Sequence, residues 1–369
     1  MPLEIFFTIV TILYFLTHLF LLKGLFVSLN LKKNNPESLP AVSVIVAARN
    51  ETQTISRCVR SLSKLNYPSD LLEIILVNDN STDNTFELMK ELTKDLDYFK
   101  IINSGKSDSV NLKGKANAIN TAIEQCKGDL IISTDADCEV YENWIINTVN
   151  YYYENTGMVC GFTKIKSDNS LFAKMQNLDW MYLLTLASSS AGLKMIMSCL
   201  GNNLSFTKNA YNEVGGYKSI SFSVTEDLAL MRKINSQPVF EVLYPLDREC
   251  LAETLPCNDV REMFSQKRRW LRGGIGINLL GYIVAIELYL QNILLVSGFL
   301  FLNFKIYLIL ILIKSISELM LLSFTLQRFE LMSLYKYYPM FSLYFAFYGL
   351  TLPLSFFFKK KIRWKGAEY

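Results

Sequence analysis

The sequence predicts an α/β domain built on a largely parallel sheet, with membrane-spanning helices before and after it in the chain. Two observations predict this arrangement. Apolar, β-branched segments alternate with helical patterns between residues 41 and 160, which is typical of a sheet covered by helices on both faces. Long apolar segments lie near both ends of the 369-residue chain, and 51% of all residues are hydrophobic.

The first apolar segment runs from Ile5 to Leu22 and contains no acidic residue, lysine or arginine. At ~1.5 Å per residue it nearly crosses a hydrocarbon core of ~30 Å, so residues 1–31 are predicted to be a membrane anchor. A cleaved signal peptide is the alternative, but it would need a basic start and a small-residue cleavage site, which this segment lacks. Lys23, Lys32 and Lys33 follow the segment and favour a cytosolic location for what comes next.

The second apolar region, residues 279–358, predicts about three transmembrane or membrane-associated helices. The candidate spans are Ile283–Leu302, Ile306–Leu326 and Phe341–Phe358. Lys314 and Glu318 lie four residues apart in one of them and are expected to neutralise each other. Three crossings after a cytosolic domain would put the basic tail, residues 359–369, outside the cell, whereas its charge favours the inside. The alternative is that one segment lies in the membrane interface.

The charge and the cysteines exclude other classes of protein. The chain has 37 basic and 34 acidic residues, and a net charge of only +3 argues against a broad cationic surface for nucleic acid. Its seven cysteines include no C-x-x-C pair, so neither a zinc site nor a disulfide framework is predicted. We expect reduced thiols that pack as small apolar side chains.

Polar residues follow three of the predicted strands at the point where each strand ends. Arg49 follows the first strand, Asp79 follows the second, and Asp135 ends the segment DLIISTD. The carboxyl ends of parallel strands share one edge of a sheet, and ligands bind there. Asp135 and Asp137 would repel each other at this edge without a positive partner. A divalent cation, Mg²⁺ or Mn²⁺, between Asp137 and a diphosphate would supply that charge.

Seven short motifs extend this pattern along the chain. In order they are VIVAARNE, LVNDNSTDNT, GKANAIN, TDAD, GNNLSFTKNAYNEVGGY, VTEDLAL and QKRRW. With these motifs in this order, the chain resembles the family 2 glycosyltransferases with a GT-A fold. The resemblance covers residues 40–275 and the flanking spans. It implies a catalytic domain at 40–257 with a Rossmann-like mixed sheet, and an interfacial helix region at 258–278 that carries a Q-x-x-R-W motif.

The resemblance also implies a role for each matched residue. The residues that would bind the nucleotide and the donor sugar are Ala47, Arg49, Glu51, Asp79, Lys115, Asn117 and Asp135. Asp137 would ligate the Mg²⁺ or Mn²⁺ cofactor, and Asp227 would be the general base. Gln266, Arg269 and Trp270 would bind the diphosphate and the acceptor.

These residue types suit an inverting displacement at the anomeric carbon of a sugar. Arg269 can hold two oxygens of the leaving diphosphate, and a metal cation stabilises the same negative charge. The acceptor hydroxyl is a very weak acid, so a carboxylate must take its proton. The single histidine, His18, lies inside the first predicted span and does not fill that role.

Each of these motifs also has a purely structural explanation. Asp79 can cap a turn, and residues 225–227 can form the acidic first turn of a helix. The basic residues Lys267, Arg268, Arg269 and Arg272 can form a cluster at the membrane surface, with Trp270 as an interfacial anchor.

The apolar segments indicate that the acceptor is dissolved in a membrane. Residues 180–200 are apolar although they lie inside the catalytic region, and we expect a helix there that lies on the bilayer surface. The organisation of the chain resembles that of ceramide glucosyltransferases and their bacterial relatives. Their W-(K/R)-G-R-x-Y ending is matched at the C-terminus, except that Ala367 replaces the arginine.

The predicted function is the transfer of one sugar from a nucleotide-diphosphate sugar, a UDP-sugar first of all, to a hydroxyl of a lipid-linked acceptor. The enzyme would lie in the cell inner membrane with its catalytic domain in the cytosol. Processive synthases of the cellulose and hyaluronan type share Q-x-x-R-W, but they generally carry more membrane helices. A non-catalytic membrane scaffold is a second alternative, which the intact Asp137, Asp227 and Arg269 argue against.

Overall fold

The computed structural model of the chain describes residues 2–166, 170–357, 363–364 and 367–368. Two compact units can be distinguished. The α/β unit consists of Leu31–Lys164, Cys199–Leu255 and Arg363–Tyr369, and the helical unit of Met1–Asn30, Ile165–Ser198 and Pro256–Ile362. Phe358 and most of the predicted basic tail (residues 359–362, 365–366 and 369) lie outside the described residues.

The described residues form twelve α-helices and twelve strands. The helices are α1 Pro2–Leu29, α2 Ile55–Leu62, α3 Thr85–Thr93, α4 Gly114–Ile123, α5 Trp144–Val149, α6 Leu171–Gly192, α7 Lys208–Glu213, α8 Glu226–Asn235, α9 Val260–Gly273, α10 Leu279–Phe301, α11 Phe304–Arg328 and α12 Tyr338–Thr351. The strands are β1 Val42–Ala48, β2 Leu72–Asn78, β3 Phe99–Asn103, β4 Leu130–Asp135, β5 Glu139–Val140, β6 Thr156–Cys160, β7 Thr163–Ile165, β8 Asn203–Thr207, β9 Glu241–Leu243, β10 Ala252–Thr254, β11 Arg363–Trp364 and β12 Ala367–Glu368.

A seven-stranded sheet is the centre of the α/β unit. Its strand order is β3-β2-β1-β4-β8-β6-β9. Strands β3, β2, β1 and β4 are parallel to one another, as the alternating strand and helix patterns predicted. Strand β8 runs antiparallel to both of its neighbours, β4 and β6. The predicted mixed α/β sheet is therefore confirmed, and its irregular half consists of β8, β6 and β9.

The two faces of the central strands explain why β1 is apolar along nearly its whole length. Side chains alternate across a strand, so Val42, Val44 and Val46 share one face. That face packs against the apolar side of α2 and against Trp144 of α5 in a hydrophobic core of the unit. Ile45, on the opposite face, is buried as well. Burial on both faces is what a parallel sheet covered by helices requires.

Three helices of the helical unit, α1, α10 and α11, are long and apolar enough to cross a membrane. The third predicted C-terminal span is different, because its helix α12 has only 14 residues. At ~1.5 Å per residue that is about 21 Å, which is shorter than a hydrocarbon core. Pro353 follows the helix two residues after its end and starts a 3₁₀ turn, since proline cannot continue an α-helix.

Helix α6 corrects the prediction of a surface-lying helix at residues 180–200. Its side chains are buried on nearly all sides, and it packs against α1, α11 and α12. The reason is the small-residue run from Ala187 to Gly192. A β-carbon on Gly192 would collide with the backbone oxygen of Gly24 in α1, and one on Gly24 would collide with Ser189. Small residues allow two helices to approach this closely.

Two further predictions concern buried side chains. All seven cysteines are free and buried, as expected for reduced thiols used in packing. The Lys314 ammonium lies 2.7 Å from the Glu318 carboxylate, so the expected mutual neutralisation is confirmed. Glu318 also accepts hydrogen bonds from the hydroxyls of Tyr14 at 2.7 Å and Tyr338 at 2.6 Å. This pair is therefore a satisfied polar contact between helices.

Candidate active site

The candidate site of the α/β unit lies at the carboxyl ends of β1, β2 and β4. Ala47 of β1 is in register with Val77 of β2 on one side and with Asp135 of β4 on the other. Asp79 directly follows β2, and its backbone N–H donates to the Ala48 carbonyl at 2.8 Å. The three strand ends therefore meet at one edge of the sheet, as the sequence predicted.

Asp79 is a buried carboxylate, only 3% exposed, that is incompletely hydrogen-bonded. Its Oδ1 accepts from the Ser104 hydroxyl at 2.8 Å and from the Asn80 amide at 3.3 Å. Its Oδ2 is buried and has no hydrogen-bond partner among the described residues, and the Arg49 guanidinium lies 4.0 Å away. A buried carboxylate oxygen without a donor is costly, so this atom is a ready acceptor for a ligand N–H or O–H.

Two other predicted donor-binding residues make local contacts that shape the loops. Glu51 is buried, its backbone N–H donates to the Thr85 hydroxyl at 2.7 Å, and its carboxylate accepts from Thr54 at 2.5 Å. Asn117 donates from its amide to the Gly105 carbonyl at 2.7 Å, which ties helix α4 to the loop before it. Both contacts fix backbone next to the sheet edge.

Lys115 is the positive partner of Asp135. Its ammonium lies 2.5 Å from Asp135 Oδ1 and 3.4 Å from Glu226 Oε1. Gly114, at a φ of +54°, makes the turn that starts helix α4 and presents the lysine. Burial disfavours the charged amine, but the carboxylates of Asp135, Glu226 and Asp227 outweigh it and raise the pKa of Lys115 above its ordinary value.

The Asp137 carboxylate forms no ion pair among the described residues, although the charge of Lys115 acts to lower its pKa. Burial, and then the negative charge of Asp135, raise the pKa of Asp137 from 3.8 to about 6. Its Oδ1 accepts a weak hydrogen bond from the Cys138 thiol at 3.4 Å. Arg57 fixes the loop that follows β4. Its guanidinium donates to the Asp137 carbonyl at 3.4 Å and pairs with Glu139 at 2.8 Å. No group of three or more potential metal ligands is found among the described residues.

Asp227 lies in the first turn of helix α8 and is held by backbone amides. Its Oδ2 accepts from the Gly201 N–H at 2.5 Å, and its Oδ1 accepts from the Leu228 N–H at 2.8 Å. A β-carbon on Gly201 would lie 3.0 Å from that Oδ2, so only glycine allows the close approach. Next to it, burial raises the pKa of Glu226, and Lys115 partly opposes this. Asp227 is therefore held in a defined position by two backbone amides, and its role is not limited to starting helix α8.

Gln266, Arg269 and Trp270 lie on α9 in the helical unit, and all three are partly exposed. The ring of Trp270 packs 5.3 Å from the ring of Trp180 of α6, at an interplanar angle of 60°. Lys267 is 3% exposed, so the alternative in which it joins a basic cluster at the surface is wrong. It forms an ion pair with Asp179 of α6, which is fully buried.

Several residues of these sites were not predicted. Glu226 precedes the predicted base in the motif TED, and its contact with Lys115 could have been anticipated from that position. No signal in the sequence indicated Ser104, Arg57 or Asp179, because the partner of each is distant in the chain. Asp79 is 25 positions from Ser104, Glu139 is 82 positions from Arg57, and Lys267 is 88 positions from Asp179. Only the folded chain brings such residues together.

Comparisons with known proteins agree with this architecture. A sequence model of the family described as "Glycosyl transferase family 2" matches residues 43–229. The solved structure of the mannosyltransferase PcManGT from Pyrobaculum calidifontis, in complex with GDP-Man and Mn²⁺, matches with a TM-score of 0.64. The alignment covers 97% of this chain and 100% of that chain at 16% sequence identity, and it shows the GT-A fold.

Two curated relatives make different products. The poly-beta-1,6-N-acetyl-D-glucosamine synthase of Staphylococcus epidermidis is 27% identical over 273 residues, which is 73% of this chain and 63% of that protein. The beta-monoglucosyldiacylglycerol synthase of Trichormus variabilis is 26% identical over 245 residues, which is 66% of this chain and 51% of that protein. The chain thus spans less than two thirds of the length of either relative.

Lys115→Met is expected to lower the free energy of unfolding by about 2 kcal/mol, because Asp135 and Glu226 lose their shared counter-charge. The effect stays below the ~3–5 kcal/mol of a fully buried pair because the Asp135 side chain is 35% exposed. Urea unfolding followed by circular dichroism measures it. Lys106→Met, at an exposed lysine, is the control. Equal stability of the two variants would show that Lys115 does not balance these carboxylates.

Proposed function

The chain belongs to glycosyl transferase family 2, and we propose that it is a membrane-bound inverting glycosyltransferase. It moves one sugar from a nucleotide-diphosphate sugar to a hydroxyl of a lipid-linked acceptor. The observation that supports this most directly is the sheet edge of the α/β unit. There, the open oxygen of Asp79, the Lys115–Asp135 pair and the carboxylates of Asp137 and Asp227 provide the groups that such a transfer needs.

Asp79 is proposed to bind the nucleoside half of the donor. A base N–H or a ribose hydroxyl would satisfy its buried Oδ2, and satisfying a buried acceptor contributes both affinity and selectivity. Arg49 lies beside that oxygen, and Ala47 and Glu51 would line the same pocket. We expect a UDP-sugar first, with a GDP-sugar as the competing donor.

Lys115, Asn117 and Asp135 are proposed to bind the diphosphate and the donor sugar. Asp135 keeps about a third of its side chain exposed, so its second oxygen is accessible to a sugar hydroxyl. Lys115 holds the other oxygen and supplies positive charge next to the expected phosphates. Asn117 keeps the turn before α4 in place through Gly105.

Asp137 is proposed to hold a divalent cation, Mg²⁺ or Mn²⁺. Such cations are often bound by one or two carboxylates together with substrate phosphates, so a single protein carboxylate is a sufficient donor set. The fit rests on the position of Asp137, which comes two residues after Asp135 at the end of β4. Burial and the charge of Asp135 raise its pKa, and a cation would stabilise the anion that they penalise. When bound, the cation would stabilise the negative charge of the leaving diphosphate.

Asp227 is proposed to be the general base. The acceptor oxygen forms a bond to the anomeric carbon, the bond from that carbon to the diphosphate breaks, and the hydroxyl proton passes to the Asp227 carboxylate. Amide donors on both of its oxygens fix the direction of the carboxylate. A single displacement inverts the sugar and needs no glycosyl-enzyme intermediate.

Arg269, Gln266 and Trp270 are proposed to bind the diphosphate and the acceptor, as the family resemblance implies. Arg269 has no ion-pair partner among the described residues, so its planar group is available to two phosphate oxygens. Trp270 is partly exposed beside Trp180 and offers an apolar surface to an acceptor.

The acceptor is proposed to be a lipid and the membrane to be the cell inner membrane. With α1, α10 and α11 as the crossing helices, the residues between α1 and α10 and those after α11 lie on the same side. The lysines after α1 favour the cytosol for that side, and the basic tail then agrees with them. The short α12 thus removes the conflict that three C-terminal crossings would create.

A processive polysaccharide synthase is the second candidate, and similarity to the S. epidermidis enzyme favours it. Sizing of the products formed from radiolabelled donor and membrane lipids separates the two functions. One discrete glycolipid is expected, whereas a ladder or a polymer would establish the synthase. Donor binding without turnover under any metal would support a scaffold instead.

Asp227→Asn is expected to reduce transfer by at least ~100-fold, because the amide cannot accept the hydroxyl proton. Metal-dependent binding of the donor, measured by calorimetry, is expected to stay close to that of the wild type. Turnover at the wild-type rate would remove Asp227 as the base.

Gly201→Ala is expected to lower the transfer rate by ~10-fold or more, because the new methyl group would displace the Asp227 carboxylate that Gly201 holds. Gly105→Ala is the matched control, since a β-carbon there meets no atom within 4 Å. Initial rates of both variants, corrected for the folded fraction, measure the effect. If the two variants are equally active, close approach at Gly201 is unimportant for the base.

Asp137→Ala is expected to weaken donor binding only when Mg²⁺ or Mn²⁺ is present, because the residue is proposed to act through the cation. Donor affinity is measured by calorimetry with the metal and with a chelator. An equal loss under both conditions would mean that Asp137 has a structural role.

A further inference from the structure

Helix α9 is held in the helical unit by very few buried side chains. Of its 14 residues, Met263 and Lys267 are the two that are buried. They lie four positions apart and therefore on the same face, one turn of helix from each other. A lysine is rarely buried unless it is paired, so this one needs an explanation.

The Lys267 ammonium lies in a cluster of three buried groups. It forms an ion pair with Asp179 of α6, and the Tyr348 hydroxyl of α12 donates to the other oxygen of that carboxylate at 2.5 Å. The ammonium also lies 4.4 Å from the ring centroid of Trp270 and 5.2 Å from that of Tyr348. Because these contacts come from two other helices, Lys267 cannot move without breaking several interactions at once.

Helical geometry links this cluster to the residues proposed to bind the diphosphate. Arg269 is two positions after Lys267, which is about 200° around a helix of ~3.6 residues per turn. Anchoring Lys267 on the inner face therefore directs Arg269 to the opposite face. Trp270 lies about 60° from Lys267, where its ring touches both the ammonium and Trp180.

We propose that Lys267 and Asp179, with Tyr348, are positioning residues that fix the rotation of α9 and thereby aim Arg269 and Trp270. The inference rests on the proposed glycosyl transfer, since it assigns a role in that reaction to residues that do not touch the substrates. An apolar pair would hold the helix equally well in free-energy terms, because burying two charges costs about as much as their attraction returns. What the charged pair adds is one defined geometry, set by the direction of the carboxylate and by its second hydrogen bond.

The test neutralises both partners together. In Lys267→Met/Asp179→Asn no buried charge is left alone, and the amide still offers an oxygen to the Tyr348 hydroxyl. The double variant is therefore expected to unfold at nearly the wild-type temperature. Its kcat is expected to fall ~10- to 100-fold, which is the size of effect that a displacement of about 1 Å produces. The KM for the donor is expected to change much less, because the nucleoside-binding residues belong to the α/β unit.

The pair formed by Lys314 and Glu318 offers a matched control. It is also buried in the helical unit, at 2.7 Å, but it is not part of α9. Lys314→Met/Glu318→Gln is expected to keep the wild-type kcat. Wild-type kcat in the Lys267/Asp179 double variant would overturn the proposal, and so would an equal loss in both double variants, which would indicate general loosening.

Tryptophan quenching gives a readout that does not depend on turnover. Rotation of α9 is expected to change the accessibility of Trp270 to acrylamide in the Lys267/Asp179 double variant and to leave it unchanged in the control. If the wild type transfers no sugar from any donor, the proposed function fails. The quenching comparison then still decides whether the pair sets the rotation of the helix, and identical quenching in all three proteins would overturn that.

Discussion

The α/β unit gathers negative charge around a single ammonium group. The carboxylates of Asp135, Asp137, Glu226 and Asp227 all act on Lys115 or are acted on by it. Asp135 and Asp137 lie at the end of β4 and in the loop after it, at the edge where the parallel strands end. Glu226 and Asp227 lie in the first turn of α8. One lysine does not balance four acids: burial first, and then the neighbouring carboxylates, raise the pKa values of Asp137 and Glu226, and Lys115 only partly opposes this. A sheet edge in this state favours a ligand that brings positive charge with it.

The surrounding residues keep these carboxylates apart from one another and pointing in fixed directions. Backbone amides hold Asp227, and Arg57 holds the loop of Asp137 through its carbonyl. The Ser104 hydroxyl donates a hydrogen bond to one oxygen of Asp79, and the other oxygen has no hydrogen-bond partner among the described residues. The helical unit differs, because each of its two buried lysines forms an ion pair with one carboxylate. Charge is left unbalanced where a substrate is proposed to bind, whereas the two buried lysines of the packed helices are neutralised by carboxylates.

Much of the α/β unit could be predicted from the sequence, because strand and turn signals are local. The apolar strands, the polar residues that end them and the Lys115 turn are each readable within about ten positions. The contacts that depend on distant partners could not be predicted. In the sequence, Lys267 cannot be distinguished from the basic residues next to it, and only the folded chain shows its ion pair with Asp179. Helix α6 has the composition of an interfacial helix, and only the close approach of α1 along its small residues shows that it is internal. The roles of the individual site residues remain proposals from the family resemblance.

The contact between Gly24 and Gly192 has a consequence for how α1 should be regarded. A simple anchor tethers a protein and can be exchanged for any other apolar helix of the same length. Here the backbones of α1 and α6 touch, Ser28 donates to the Ser188 carbonyl at 2.9 Å, and His18 bonds to the Tyr182 hydroxyl at the same distance. Deleting the first thirty residues to obtain a water-soluble enzyme would strip one wall from the interior of the helical unit and leave polar groups without partners. The N-terminal helix belongs to the folded body, and a foreign leader peptide is no substitute for it.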